Sequence, residues 1–220
     1  MTTDLDLVIA GETLQLLPER ALLLRERSVL VISDLHLGKA DTHRSLGIDI
    51  PEGVVEESLD RLERAILRTR AGRVVILGDL VQCEEGMEEP VVEQFERWRR
   101  RVTLPISLIG GDHELDVSIP RAWRIDDDGH RLRIGPFLLQ HEPPPSADGE
   151  GTDFVLAGHR HPVLSMGSGA RRSLAHAFVL DPHQVILPAF TPFARGARVR
   201  PDADRSRRVF AISDGRVSEA

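Results

Sequence analysis

The sequence predicts an α/β protein, a four-layer αββα sandwich in which two mixed sheets pack together and are flanked by helices. Three observations carry this. Short apolar runs of strand length crowd the first third; two segments with helical periodicity then alternate with continuous apolar runs; and the second half returns to short strands. The runs Leu5 to Ala10, Leu14 to Leu17, Ala21 to Leu24 and Ser28 to Ser33 are each bounded by glycine, proline or charge. Gly53 to Arg68 places Val54, Val55, Leu59, Leu62, Ile66 and Leu67 on one side of a helix, and Glu89 to Arg101 does the same with Val92, Phe95 and Trp98, continuing to Val102. Pro51 and Pro90 stand at helix starts, where a missing N–H costs nothing. Between these helices Arg73 to Leu77 reads as a buried strand, and Ile106 to Ile109 reads the same way. A second sheet is expected from Arg131 to Ile134, Phe137 to Gln140, Phe154 to Ala157, Ala177 to Leu180, Gln184 to Leu187 and Arg208 to Ile212. The stretch from Pro143 to Gly151 reads as a surface loop.

A chain of 220 residues, 41% of them hydrophobic, has the apolar material for one large core, so residues 1–220 are expected to form a single domain. The start, Met-Thr-Thr-Asp-Leu-Asp, lacks the basic flank and apolar run of a signal peptide, and no stretch reaches membrane-spanning length. A cytoplasmic protein is expected, with no membrane partner. The single cysteine, Cys83, cannot form an internal disulfide and removes any cysteine-rich zinc site from consideration. The net charge of −7 argues against a surface that coats nucleic acid by global basicity, yet two bound divalent cations would bring it to about −3 and concentrate positive potential where they sit. Lys39 is the only lysine and lies three residues beyond a metal-type Asp-x-His pair. It is a candidate phosphate-facing charge, against the plainer reading of an exposed loop residue.

Ligand-type residues fall just after the apolar runs, where open α/β sheets place their ligand sites. They are Asp34 and His36 after Val31-Ile32-Ser33; Asp79 after Leu77-Gly78; Asp112 and His113 after Gly110-Gly111; His141 after Leu139-Gln140; and His159 and His161 around Arg160, after Ala157-Gly158. An Asp-x-His pair leaving a strand can point both groups to one side and chelate one ion. Each motif alone has an ordinary explanation as a cap or surface hydrogen bond. Five of the nine histidines at such positions do not share one. His130, His176 and His183 lack this context and are expected to be surface or hydrogen-bonded structural residues.

The order Asp-x-His, Gly-Asp, Gly-Asp-His-Glu, His, Gly-His-x-His resembles the signature of the calcineurin-like metallophosphoesterases across most of the chain. The flanking words Asp34-Leu35-His36-Leu37-Gly38-Lys39-Ala40, His141-Glu142-Pro143, Gly158-His159-Arg160-His161-Pro162 and Leu187-Pro188-Ala189-Phe190 are most similar to the ligase-associated DNA damage response endonucleases of bacteria. The resemblance implies the metallophosphoesterase fold and a phosphodiesterase acting on DNA in repair, with a DNA ligase, a helicase and an exonuclease as functional partners. It also implies two divalent ions, Mn²⁺ first and Fe, Co or Zn²⁺ as alternatives. Asp34, His36 and His161 would hold one ion and Asp112, His141 and His159 the other. Asp79 would bridge them, and a water between the ions would attack phosphorus in line. His113 would stabilise or protonate the departing oxygen. Two positions depart from the family pattern: Asp112 stands where the family has asparagine, and Gln82 where relatives carry Asp or His. Two other readings stay open: a hydrolase of small nucleotide or lipid-headgroup phosphoesters, and a catalytically weakened homologue that binds metal or a protein partner. For DNA, candidate contacts are Arg97, Arg99, Arg100 and Arg101, Arg171 and Arg172, and Arg195, Arg198 and Arg200.

Overall fold

In the computed structural model, residues 2–45, 47, 52–114, 117–144, 153–167, 172–192, 196–203 and 206–220 are described. Pro51, Arg171, Arg195 and most of the 143–151 loop lie outside them. The first sheet has the strand order β1 (Leu5–Ile9), β2 (Glu12–Leu17), β3 (Ala21–Leu24), β4 (Val29–Ile32), β5 (Arg73–Leu77), β6 (Ile106–Ile109), β7 (Ile125–Asp127). β1 to β4 form an antiparallel meander, and β4 to β7 run parallel. Of the parallel strands, β4, β5 and β6 are buried on both faces, which is why they read as unbroken apolar runs.

The second sheet holds β8 (Arg131–Ile134), β9 (Phe137–Gln140), β10 (Phe154–Ala157), β11 (Val163–Met166), β12 (Ser173–Asp181), β13 (Gln184–Ile186), β14 (Arg198–Val199), β15 (Arg208–Ser213) and β16 (Arg216–Glu219). Its order is β14-β11-β12-β13-β10-β9-β8, with the β15–β16 hairpin also paired to β12. β9, β10 and β13 are mutually parallel.

The two sheets face each other across an apolar layer. Leu14, Leu16, Leu22, Val31, Val75 and Leu77 of the first meet Phe137, Leu139, Leu156, Phe178, Val185 and Phe210 of the second. Helices α2 (Val54–Thr69) and α3 (Glu89–Arg101) cover the other face of the first sheet through Leu59, Leu62, Ile66, Phe95 and Trp98. Leu67 does not join this stripe and is 71% exposed, because it lies one further step around α2 than Ile66. The architecture is therefore α/β with two mixed sheets. Within the second sheet, Leu164, Met166 and Val199 cluster with Ala175, Ala177, Val179 and Val209 in a separate apolar group that, among the described residues, includes no helix residue. A short helix, α1 (Lys39–Ser45), was not signalled by the sequence. No helix among the described residues is long and apolar enough to cross a membrane.

Arg99, a candidate DNA contact by sequence, is buried in the frame. Its guanidinium donates to the carbonyls of Trp123 (2.7 Å), Val102 (2.5 Å), Leu104 (3.2 Å) and Arg124 (3.0 Å), tying the end of α3 to the approach to β7. Arg97 and Arg101 pair with Glu93 and Glu63. Arg99→Leu is expected to cost about 3 kcal/mol, since it leaves several carbonyls without a donor. The urea midpoint of unfolding measures this, and an unchanged midpoint would remove Arg99 from the frame.

Candidate metal centre

Strand ends build the site. β4 and β5 are parallel and in register at Ile32 and Ile76, so the segments leaving them emerge at one edge. Beyond the strands the pairing continues: the Asp34 N–H donates to Gly78 O (3.2 Å), His36 N–H to Asp79 O (2.8 Å) and Leu37 N–H to Leu80 O (2.8 Å). In the second sheet the Gly158 N–H donates to His141 O (2.9 Å), aligning the exits of β9 and β10. The segment after β13 joins the two halves, with the Phe190 N–H donating to Ser33 O (2.8 Å) and the Thr191 N–H to Asp34 O (3.2 Å).

Five of the predicted ligands hold left-handed backbone conformations: Asp34 (φ 56°), His36 (48°), Asp79 (50°), His159 (65°) and His161 (46°). Such a conformation costs a non-glycine residue on the order of 1 kcal/mol or more, and persists where surrounding contacts over-determine it. It swings consecutive polar side chains into one space. Glycine is required alongside. A Cβ on Gly78, itself at φ 74°, would overlap the His141 ring, and one on Gly158 would overlap the Ser33 hydroxyl and approach Asp34 Oδ2.

The result is two clusters that share one carboxylate. Donor atoms of Asp34, His36, Asp79 and His161 lie within 4.8 Å of one another, as do those of Asp79, His141 and His159. Asp79 Oδ2 lies 3.7 Å from His36 Nε2, and its Oδ1 lies 3.4 Å from His141 Nε2. Asp34 Oδ1 lies 3.1 Å from His161 Nε2. Asp34 also accepts the His159 N–H (3.1 Å) and the Ser33 hydroxyl (2.5 Å). Asp112 is at the rim, its side chain 65% exposed and its Oδ2 3.3 Å from His159 Nδ1. His113 faces the shared carboxylate from the open side, its Nε2 3.8 Å from Asp79 Oδ2 and its ring edge-on to His36.

This donor set fits cations. His36 Nε2 meets His161 Nε2 at 3.3 Å, and His159 Nδ1 meets His141 Nε2 at 3.1 Å. The natural tautomer of His141 donates from Nδ1 to Leu77 O (2.7 Å) and turns the Nε2 lone pair into the cluster. Burial, and next the Lys39 ammonium, push the His36 imidazole down to about 2, so it is neutral and able to ligate. Facing lone pairs beside two buried carboxylates repel unless positive charge lies among them. Nitrogen and oxygen donors without thiolate suit Mn²⁺, Fe, Co or Zn²⁺.

The surrounding residues have definite tasks. Glu114 accepts the N–H groups of Asp79 (2.9 Å), Gly111 (2.9 Å) and Val81 (3.2 Å), fastening the exits of β5 and β6 together; burial raises its carboxyl pKa. Its adjacency to Asp112-His113 is the only local sign of this. Lys39 opens α1 half-buried; burial lowers its ammonium pKa, against the opposing pull of Asp79 and Asp34. Gln82 donates its N–H to Leu37 O, and its side-chain Oε1 is buried without a partner. His176, expected at the surface or hydrogen-bonded, is partly buried with an unpartnered Nδ1.

Comparison with known proteins agrees with this geometry. Over its whole length the chain is similar to the crystal structure of the Pseudomonas putida nuclease MPE, with a TM-score of 0.84 and 30% identity, covering 99% of this chain and 100% of that one. It is also matched to Yfce, a phosphoesterase from E. coli, at a TM-score of 0.37 and 14% identity over 84% of this chain and 88% of that one, a likeness too low to carry an argument. A search of curated proteins found no matching sequence. The profile of the calcineurin-like phosphoesterases matches residues 27–181, which span the strand exits from β4 to β10 and every residue of the two clusters, and the chain belongs to that family.

Proposed function

We propose that this metal-dependent phosphoesterase is a two-metal phosphodiesterase that cleaves DNA in repair. The supporting observation is the pair of clusters sharing Asp79, in a chain 30% identical along its length to a nuclease. Asp34, His36, Asp79 and His161 would hold one divalent cation, and Asp79, His141 and His159, with Asp112 at the rim, the other; Mn²⁺ is the first candidate. When bound, two such cations supply Lewis acidity at the phosphoryl oxygens and acidify an attacking water. The protein's own groups do the rest. His113 Nε2, on the open side of Asp79, carries a proton to the departing oxygen. Lys39 adds a compact positive charge beside the carboxylates, offsetting their repulsion of an incoming phosphate. The left-handed backbone at five ligands fixes their directions before substrate arrives, so little reorganisation accompanies binding.

The test pairs metal analysis with substrate choice. Protein reconstituted with manganese is expected to hold close to two ions per chain and to hydrolyse bis(p-nitrophenyl) phosphate and single-stranded DNA faster than p-nitrophenyl phosphate. Protein that binds no Mn²⁺, Co²⁺ or Zn²⁺ at micromolar levels would overturn the two-metal reading. A monoester preference would replace DNA by a small phosphoester.

Asp112 adds a carboxylate where the family pattern has a neutral amide. Unit charges about 4 Å apart interact by at most about 4 kcal/mol at an effective dielectric near 20, and exposure reduces this well below the ceiling. Asp112→Asn is therefore expected to weaken metal affinity and raise turnover, each by about tenfold or less. Metal titration and kinetics on one preparation check both. Lower turnover would mean that the site is tuned around the carboxylate.

A further inference from the structure

Beside the two clusters lies a second convergence of positive groups that the metal chemistry does not use. The turn carrying Arg20 joins β2 to β3, and because Leu22 pairs with Val31, the start of β3 lies against the end of β4. That turn is thus at the sheet edge where Asp34 emerges. Arg20 and Arg61 both donate to one oxygen, the carbonyl of Phe190, at 3.2 and 2.8 Å. Phe190 belongs to the stretch hydrogen-bonded to Ser33 and Asp34.

The charges of this pair are incompletely balanced. Arg61 has Glu57 at 2.7 Å, whose side chain is 62% exposed. Arg20 makes no direct ion pair among the described residues, though Glu57 lies in its field, and the neighbouring Glu19 is taken by Arg68 at 2.7 Å. Burial, with the Arg61 charge next, lowers the Arg20 guanidinium to about 9, which leaves it protonated at neutral pH. His176 lies in the field of both arginines and of His161, and its buried Nδ1 has no partner. β12 places it opposite Val163, two residues beyond His161. Two guanidinium groups drawn to one carbonyl share a single, largely exposed carboxylate, Glu57, so their mutual repulsion favours a further anion between them.

We propose that Arg20, Arg61 and His176 form an anion subsite that takes a phosphodiester group flanking the scissile one in a bound polynucleotide. The assignment rests on the nuclease reading. It also gives that reading a means of preferring a polymer to a small diester, since only a polymer presents a second phosphate. The planar fork of Arg20 supplies the direct contact, and buried Arg61 supplies charge behind it.

Arg20→Gln tests this in the full, manganese-loaded chain, because glutamine keeps an amide donor for the Phe190 carbonyl while removing the charge. The substrate is bis(p-nitrophenyl) phosphate, which reaches only the metal centre, and a single-stranded DNA 12-mer is added as competitor, whether or not it is cut. The variant is expected to keep kcat/KM for the small diester within about twofold while the inhibition constant of the 12-mer rises about tenfold. The slope of log affinity against log salt, from anisotropy of the labelled 12-mer, should become shallower by about 0.7, one phosphate contact on a single strand. Arg20→Lys should recover part of the affinity.

An unchanged inhibition constant overturns the proposal. So does an equal loss on both substrates, which would make Arg20 a structural brace for Phe190. A matching rise in the inhibition constant of inorganic phosphate also overturns it, because the group would then receive free phosphate. A 12-mer that competes but is never cut defeats the nuclease reading alone, and the ratio of inhibition constants still decides the subsite. A 12-mer that does not compete defeats both.

Discussion

Asp79→Asn is expected to lower turnover on a phosphodiester by about a thousandfold or more. Asp79 is the residue common to both clusters, its two oxygens directed at histidines on opposite sides. Asparagine keeps the shape and removes the charge, so packing around β5 should survive while attraction for cations on both sides falls together. Removing a unit charge about 4 Å from a cation forfeits about 4 kcal/mol at an effective dielectric near 20, and each 1.36 kcal/mol is a factor of ten in rate. Metal content should drop below two per chain, with circular dichroism unchanged. A variant with near-normal turnover and two ions would show that Asp79 does not bridge.

The second large effect is expected at His113, where replacement by alanine should lower DNA cleavage by about a hundredfold while metal content stays intact. Its Nε2 lies 3.8 Å from Asp79 Oδ2, yet its side chain is 36% exposed and it belongs to neither cluster. The role given to it is protonation of the leaving oxygen, and this has its own signature. Bis(p-nitrophenyl) phosphate releases a stable phenolate that needs little help, so the variant should lose far less on that substrate than on DNA, whose leaving group is an alkoxide. Equal losses on the two substrates, or loss of a metal, would remove His113 from that role.

Much of the fold was legible because each strand in the parallel part is an apolar run cut off by glycine or charge, as at Leu77-Gly78-Asp79. The site was legible for the same reason: a polar residue directly after a buried strand has few places to go. Other features depended on partners distant in sequence. α1 is only Lys39–Ser45, too short and too polar to show a periodic stripe, and β11 covers just four residues soon after the His161 exit. Arg99 looked like one of four solvated arginines, and only the arrival of the Trp123 and Arg124 carbonyls makes it internal. Arg20 and Arg61 stand 41 positions apart and meet at a carbonyl 129 residues beyond Arg61, a convergence no local pattern encodes. Glu114 reads as a motif letter, and its work of joining two strand exits appears only once β5 and β6 are side by side.

The two clusters draw their donor groups from both sheets, and the hydrogen bond from the His159 N–H to the Asp34 carboxylate spans 125 positions. This governs when, in time, the protein can become active. The first sheet and its helices are complete in residues that end at β7, and Phe190 apart they supply the whole of the core between them, so they can form while the rest of the chain is still unstructured. The contacts that close the site are long-range, and their loop-closure entropy is met last. An ion offered early would find only Asp34, His36, Asp79 and Asp112 of the proposed ligands. On the proposed ligand set, high affinity would arrive only when β9 and β10 dock and bring His141, His159 and His161, making cation uptake a clock for the final step of folding and keeping an unfinished chain from acting on phosphoesters.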